Sequence, residues 1–325
     1  MAKKIGSKIG LENVINNIDN VAKDLREANI FSHMVIKGMN VLYLKFASQG
    51  KYEEERRNLL ERLAREFKPN LDYIERIIHT WASALKSNGY LVKVCVIKAR
   101  SRCLIGVSEA FGKIPFEVGL AFDPVLNTPL IPGSTLKGAF RHALLNLVER
   151  RYGRKKAEEI VNEVFGSREG VGLVGVTDAY PVSLGIGGRV LEPDVITPHY
   201  PGAKTELDVK PNPILFLTIA PGVRFKFLIY FNKNIFKWEA DRRGGKRGIG
   251  IVRDNELRLK NVDVLSYGVH YGSDLGEAIK RLGKISIEVV PWIDRAVLYA
   301  FAKGVGAKTS LSYSRFEVIR YESVR

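Results

Sequence analysis

Three short segments of this sequence combine residue types and spacings suited to binding phosphate. In LIPGSTLKGAFR (130–141), Pro132 and Gly133 make a turn that leads straight into an amphipathic helix marked by Leu136, Phe140, Ala143, Leu144 and Leu147. Ser134 or Thr135 can cap that helix, and the unsatisfied N–H groups of its first turn then point outward. Lys137 and Arg141 are four residues apart, hence on one face, and bring positive charge beside the N-terminus, where a phosphate could dock. Gly133 and Gly138 also repeat the GxxxxG spacing of a P-loop. Ala139 and Phe140 stand where that motif requires Lys and Ser or Thr, so NTP binding is not expected.

In GVGAKTSLSYSRF (304–316), Gly304 and Gly306 allow backbone amides to approach phosphates, with Lys308, Thr309 and Arg315 as neighbouring donors. The segment follows a helix and precedes a strand, the reverse of a dinucleotide fingerprint, and Gly304 equally suits a helix C-cap. The third segment is LVKVCVIKARSRCLIGV (91–107). Its odd positions Cys95, Ile97, Ala99, Ser101, Cys103 and Ile105 are apolar or small, whereas Lys98, Arg100 and Arg102 line the opposite face at roughly 6.6 Å intervals. RNA contact and a solvated sheet face both fit that pattern. The basic run Arg150, Arg151, Arg154, Lys155 and Lys156 reads as a solvated helix C-terminus that complements the dipole.

Catalytic signals are poor. His33, His79, His142, His199 and His270 are scattered without metal-ligand spacing, and His79 falls beside an apolar stripe, which predicts packing. His142, next to Arg141, is the sole candidate general base, with Lys308 as its acid. Asp178 and Asp194 lack a third partner for a metal, and structural hydrogen bonding suits them better. No catalytic residue, metal or cofactor is therefore expected.

The chain has 325 residues, about two domains or one large one, with 46% hydrophobic and 26% charged residues, which is ordinary globular usage. Lys and Arg outnumber Asp and Glu by 51 to 35, a net charge of +16 that calls for a polyanionic partner. No apolar run approaches the ~20 residues a spanning helix needs, and the N-terminus lacks a signal peptide's apolar region. Membrane association is thus not expected, and the cytoplasm is. Cys95 and Cys103 have neither CxxC spacing nor paired histidines and read as core residues.

Residues 1–90 read as a helical region. Helical spacing links Leu11, Val14, Ile15, Ile18, Val21 and Leu25; then Leu59, Leu60, Leu63 and Phe67; then Leu71, Ile74, Ile78, Trp81 and Leu85, with Asn70 as N-cap and Gly89 as C-terminal cap. From residue 91 the period becomes two. Further strands are expected at 171–177, 214–219, 223–231 and 311–319, and helices around Leu136–Leu147 and Ile293–Phe301. Ala220-Pro221-Gly222-Val223 has the residues of a type II turn and predicts a hairpin between the strands on either side. Strand, helix, two strands, helix, strand suggests an α+β fold: a ferredoxin-like βαββαβ core over 91–325, with insertions at 183–212 and 237–260.

Together, IPGSTLKGAFR (131–141), FGSREGVGLVGVTDAYP (165–181) and GVGAKTSLSYSRF (304–316) resemble the RAMP superfamily of CRISPR-associated RNA-binding proteins. LEPDVITPHY (191–200), PILFLTIAPGVRFKF (213–227) and the helical N-terminal region are similar to one branch, the sixth subunits of type III-B (Cmr) effector complexes. The resemblance implies an RRM-like (ferredoxin-like) RAMP core and a non-catalytic, RNA-binding structural role in antiviral defence. Its position would be near the 3′ end of the guide RNA. Guide and target RNA, the other RAMP subunits and the small subunit are the implied partners. Ser134, Lys137, Arg141, Gly304, Gly306, Lys308, Thr309, Arg315, Lys98, Arg100 and Arg102 are the expected RNA contacts. A metal-independent guide-RNA endoribonuclease is the alternative, since processing enzymes share the fold. The sequence departs from the family at Ser312 and Ser314, where glycines often flank the tyrosine; this predicts side chains in space the family leaves to backbone.

Overall fold

Leu91–Ala99 forms β1, the central strand of the computed structural model, which describes residues 29–47, 49–196, 213–232, 234, 259–262 and 292–324. As the alternation requires, Cys95, Ile97 and Ala99 are buried on one face. β1 pairs antiparallel with β8 (Arg224–Phe231) on one side and with β10 (Phe316–Ser323) on the other. β8 also pairs with β4 (Val174–Val176) and β5 (Tyr180–Ser183), and β10 with β9 (Leu259–Val262). The main order is β4-β8-β1-β10-β9, antiparallel throughout.

Two helices cover the inner face of this sheet, α5 (Gly133–Tyr152) and α7 (Trp292–Lys303). Phe225, Phe227, Ile229 and Phe231 of β8 are wholly buried there, and Phe140 of α5 meets Phe301 of α7 at 5.7 Å between ring centroids. Burying each such side chain contributes roughly 1.5–3 kcal/mol. On the outer face, α3 (Leu71–Ser87) buries Ile74, Ile78 and Ala82 against β1, β5 and β8. Its ends are as predicted: the Asn70 side chain accepts from the Tyr73 N–H, and Gly89 takes φ 80°.

The inner face holds one charged cluster. Lys93 Nζ donates to both carboxylate oxygens of Asp294 at 2.8 and 2.9 Å, and the Tyr321 hydroxyl donates to Asp294 Oδ1 at 2.5 Å, all three residues buried. Burial, with the Asp294 charge beside it, pushes the Tyr321 phenol well above its ordinary range and keeps it a donor. A bulge delivers Tyr321 there. Ile97 faces Val318 but Val96 faces Arg320, so Ile319 is an extra residue that reverses the facing of everything beyond it.

Contacts divide the chain into two compact units: Met1–Pro69, Gly106–Pro129 and Arg189–Ile219 in one, and Asn70–Ile105, Leu130–Gly188 and Ala220–Arg325 in the other, which holds the sheet just described. The boundary expected at residue 90 therefore falls inside the second unit, because α3 packs on the sheet. In the first unit, α1 (Ile30–Ala47) and α2 (Gln49–Glu66) pair with one another, and α2 lies against β6 (Leu191–Ile196) and β7 (Ile214–Ile219). Short elements complete it: α4 (Lys113–Phe116), β2 (Phe122–Asp123) and β3 (Thr128–Pro129). The Phe111 and Phe122 rings stack at 4.1 Å.

Several expectations are corrected. Pro221 and Gly222 turn the chain as read, with Gly222 at φ 86°, but the flanking strands do not form a hairpin. β7 takes β6 as its partner, and β8 takes β1, whose Ala99 accepts from the Gly222 N–H and donates to Val223. Residues 191–196 are thus a strand within the expected 183–212 insertion. α1 shows no single apolar stripe, since apolar residues such as Val35 and Met39 also fall on its exposed side. The last strand begins at Phe316 rather than Leu311, because Lys308, Ser312 and Ser314 adopt positive φ of 56°, 67° and 55°. Gly153 separates α5 from α6 (Arg154–Phe165), so Arg154, Lys155 and Lys156 open a helix instead of closing one; Arg154 pairs with Glu149 and Glu158. The helix expected at 11–25, His199, His270, and the 197–212 and 237–258 stretches lie outside the described residues. Among those described, no helix is long and apolar enough to cross a membrane.

Candidate nucleic-acid interface

The motif at the start of α5 is held differently from its sequence reading. Helix geometry begins at Gly133 itself, so Ser134 and Thr135 lie inside the first turn and neither caps it. The cap is Asp178, whose Oδ1 accepts from the Gly133 N–H at 2.6 Å and puts a negative charge at the positive helix end. Glycine is required at 133 because a Cβ there would stand 2.6 Å from the Val176 carbonyl oxygen. Ser134 is exposed. Lys137 is half-buried, which pulls its ammonium below the ordinary lysine range. The Arg141 guanidinium donates to the Asn162 side chain of α6, which holds it across the two helices. His142 is exposed, 3.1 Å from Asn146.

The glycine-bearing loop is laced to the segment after β1. Gly304, at φ 91°, ends α7 by donating to Ala300 and Phe301. Ala307 donates to Leu104, Ser314 to Arg102, and Arg100 to Arg315, while the Arg315 N–H donates to Ser101 Oγ. The strand ends at Ala99, so Arg100 and Arg102 leave the row expected with Lys98 and join this loop instead. Gly306 is needed for internal packing, since a Cβ would meet Ser314 Oγ at 2.7 Å and the Leu104 carbonyl at 2.9 Å. Arg315 turns inward too. Its guanidinium donates to the carbonyls of Ala302, Lys303 and Thr309 at 3.3, 2.8 and 2.8 Å, tying the α7 C-terminus to the loop. Ser312 and Ser314 hold the left-handed conformation that glycine favours. Ser314 is buried, and its Oγ accepts from the Leu104 N–H at 3.1 Å, so its side chain braces the loop from within rather than filling space outside it. Lys308 and Thr309 remain half-exposed at the outer end.

The expected cationic strand face exists, but across strands instead of along one. Register places Lys226 of β8 and Arg320 of β10 on either side of Val96, and Arg224 beside Lys98 one pleat further on; Lys260 of β9 lies opposite Arg320. Arg224, Lys226 and Arg320 share the outer face with Lys98. Glu75 pairs with Lys226, Glu322 with Arg320, and Glu317 stands opposite Lys98. Alternation in RFKFLIYF gave the signal for Arg224 and Lys226; the bulge hid it for Arg320. His79, expected to be packed, is exposed on α3 beside this face.

Arg315, Gly304 and Gly306 shape the loop from within, and the Arg100 and Arg102 backbones are bonded to it. Lys98 joins a wider basic surface. Ser134 and Lys137 stay at the α5 terminus. Cys95 and Cys103 are free and buried, and burial pushes both thiols up, out of reach of thiolate chemistry. Among the described residues, no three His, Cys, Asp or Glu side chains cluster to hold a metal.

Comparison with known proteins adds to this geometry. The family model of the RAMP superfamily matches residues 87–317. "CRISPR system CMR subunit Cmr6" of Saccharolobus solfataricus (strain ATCC 35092 / DSM 1617 / JCM 11322 / P2) is 39% identical over 198 residues, 59% of this chain and 66% of the relative, just under two thirds of its length. A chain in the "Cryo-EM structure of the Type III-B Cmr-beta bound to cognate target RNA" superposes with a TM-score of 0.66 at 27% identity, over 96% of this chain and 99% of that one. The "Crystal structure of Cmr6 from Pyrococcus furiosus" gives 0.36 at 18% identity, over 72% and 99%.

Proposed function

The chain belongs to the RAMP superfamily, and on that premise we propose that it is a non-catalytic, RNA-binding structural subunit of a type III-B CRISPR (Cmr) effector complex in the cytoplasm. The observation that carries this is likeness along nearly the whole chain to a chain of an RNA-bound Type III-B assembly. Guide and target RNA, neighbouring RAMP subunits and the small subunit are its partners, with the contact near the guide's 3′ end. The strand order β4-β8-β1-β10 with α5 and α7 on one face supports the ferredoxin-like reading of the core.

On this reading the outer sheet face, with Lys98, Arg224, Lys226 and Arg320, and the loop end at Lys308 and Thr309 meet the sugar-phosphate backbone. Arg141 and Arg315 work indirectly, by holding α5 and the loop in shape. Exposed cations act by releasing counterions, so affinity falls by about 0.7 log unit per tenfold rise in salt for each phosphate neutralised on a single strand. The test is purification of the tagged full chain from its native source. Expected are a short RNA of uniform length and several RAMP-like proteins, with RNA crosslinks on the outer sheet face or the 304–315 loop. Crosslinks confined elsewhere, or specific cleavage of precursor RNA in EDTA that His142→Ala abolishes, would overturn the proposal.

A further inference from the structure

Between α3 and the outer face of the sheet lies a cleft of about 470 Å³, inside the ~300–1,000 Å³ range of small-molecule sites. Its floor is apolar, made of Ile78 and Ala82 from α3, Val94 from β1 and Leu228 from β8. Its rim is polar and differs on its two sides: His79 from the helix, Lys226 and Arg320 with Glu322 from the sheet. We propose that this cleft is a slot for one unstacked nucleobase of a bound single-stranded RNA.

Three features point to a base with its phosphate attached. An apolar floor takes a ring face and rejects a hydrated phosphate. The imidazole of His79 and the guanidinium of Arg320 are planar groups on which a splayed base stacks. Lys226 and Arg320 are each oriented by a carboxylate, Glu75 and Glu322 respectively, and each retains N–H donors beyond that pair for a phosphate or a 2′-hydroxyl. Glu322, on the outer face opposite Val94, offers a carboxylate oxygen for a base edge. Lys98 and Arg224 stand one pleat beyond Lys226 and Arg320 on the same face, so a backbone that leaves the slot in that direction meets further positive charge. A free nucleotide would have no use for that continuation, and an apolar peptide none for the cationic rim.

The inference rests on the RNA-binding reading but goes beyond it, and the test separates the two. The full chain is titrated with fluorescein-labelled oligouridylate and with an abasic ribose-phosphate oligomer of the same length. Wild type is expected to favour the base-bearing strand by roughly 5- to 100-fold. His79→Ala, on the exposed helix surface, should reduce that preference without weakening the abasic oligomer. Ala82→Leu, which narrows the slot, should do the same. Equal affinity for both oligomers overturns the slot and leaves the RNA-binding reading intact. A preference that survives both variants puts the base elsewhere and likewise overturns it. Binding to neither oligomer overturns the RNA-binding reading and the slot with it. In the assembled particle, a protein segment crosslinked at position 79 in place of RNA would overturn it in favour of a peptide groove.

Discussion

Lys93 and Lys98 stand five residues apart on β1 and face opposite sides of the sheet. Lys93 is sealed beneath α7, held by both oxygens of Asp294, while Lys98 belongs to a half-open cationic surface with Arg224, Lys226 and Arg320. Two lysines of equal formal charge therefore have opposite uses. One is neutralised within the packing of a core, and the other stands on the outer face, where the proposed RNA contact would use it. The +16 of the chain therefore does not all lie on its surface, and strand register decides which side of the sheet a charge occupies.

The sharpest way to break this contrast is to strip the buried cation of its partner. Asp294→Ala should cost roughly 3–5 kcal/mol, because an uncompensated ammonium stays in the core, whereas Lys98→Ala should lie within about 0.5 kcal/mol of wild type. Urea unfolding measures both. Replacing Lys93 by Met together with Asp294 by Leu should recover most of the loss. An unchanged midpoint for Asp294→Ala would erase the distinction. Arg315 is an intermediate case, a cation satisfied by three carbonyls. Arg315→Ala should destabilise by about 1.5–3 kcal/mol while leaving the salt dependence of RNA binding unchanged, which separates a brace from a phosphate ligand.

On the open side, each of Lys98→Ala, Arg224→Ala and Arg320→Ala should lower the salt slope of RNA binding by about 0.7, read by fluorescence anisotropy across a salt series. A Lys93→Met chain that lost slope equally would refute the assignment of faces. His33 sharpens the comparison further, as a buried group whose ring nitrogens have no hydrogen-bond partner. Burial, aided by the Arg62 charge and opposed by Glu66, holds its pKa below 6.5. As pH falls through 6.5 the unfolded chain takes up a proton that the folded chain refuses, so stability drops on acidification. His33→Gln should flatten that part of a stability–pH profile, and an unaltered profile would dismiss the effect.

Much of this was legible in the residues. The stripes at Leu59–Phe67 and Leu71–Leu85 located two helices, and the Asn70 and Gly89 caps bounded the second. The odd-even pattern of β1 even places Lys93 on the buried face, although nothing local reveals that Asp294, two hundred residues away, answers it. Strand partners were not legible. The run at 214–219 carries no mark of whether it pairs forward across Pro221-Gly222 or back to 191–196. Arg141 and Arg315 read as phosphate ligands because charge and spacing are local, while the Asn162 side chain and the three carbonyls that engage them are set by tertiary packing. Serines in the left-handed region likewise concealed where the last strand starts.

Ile319 gives this molecule a phase shift. Because it bulges, Tyr321 reaches the sealed carboxylate and Arg320 looks outward; were Ile319 instead paired in the ladder opposite Val96, the two would exchange, thrusting a guanidinium at Asp294 and an aromatic ring into solvent. A slip that drew Ile319 into the ladder would strike interior and exterior in one stroke, whereas a single-codon deletion of Ile319 would leave Arg320 and Tyr321 opposite their present partners.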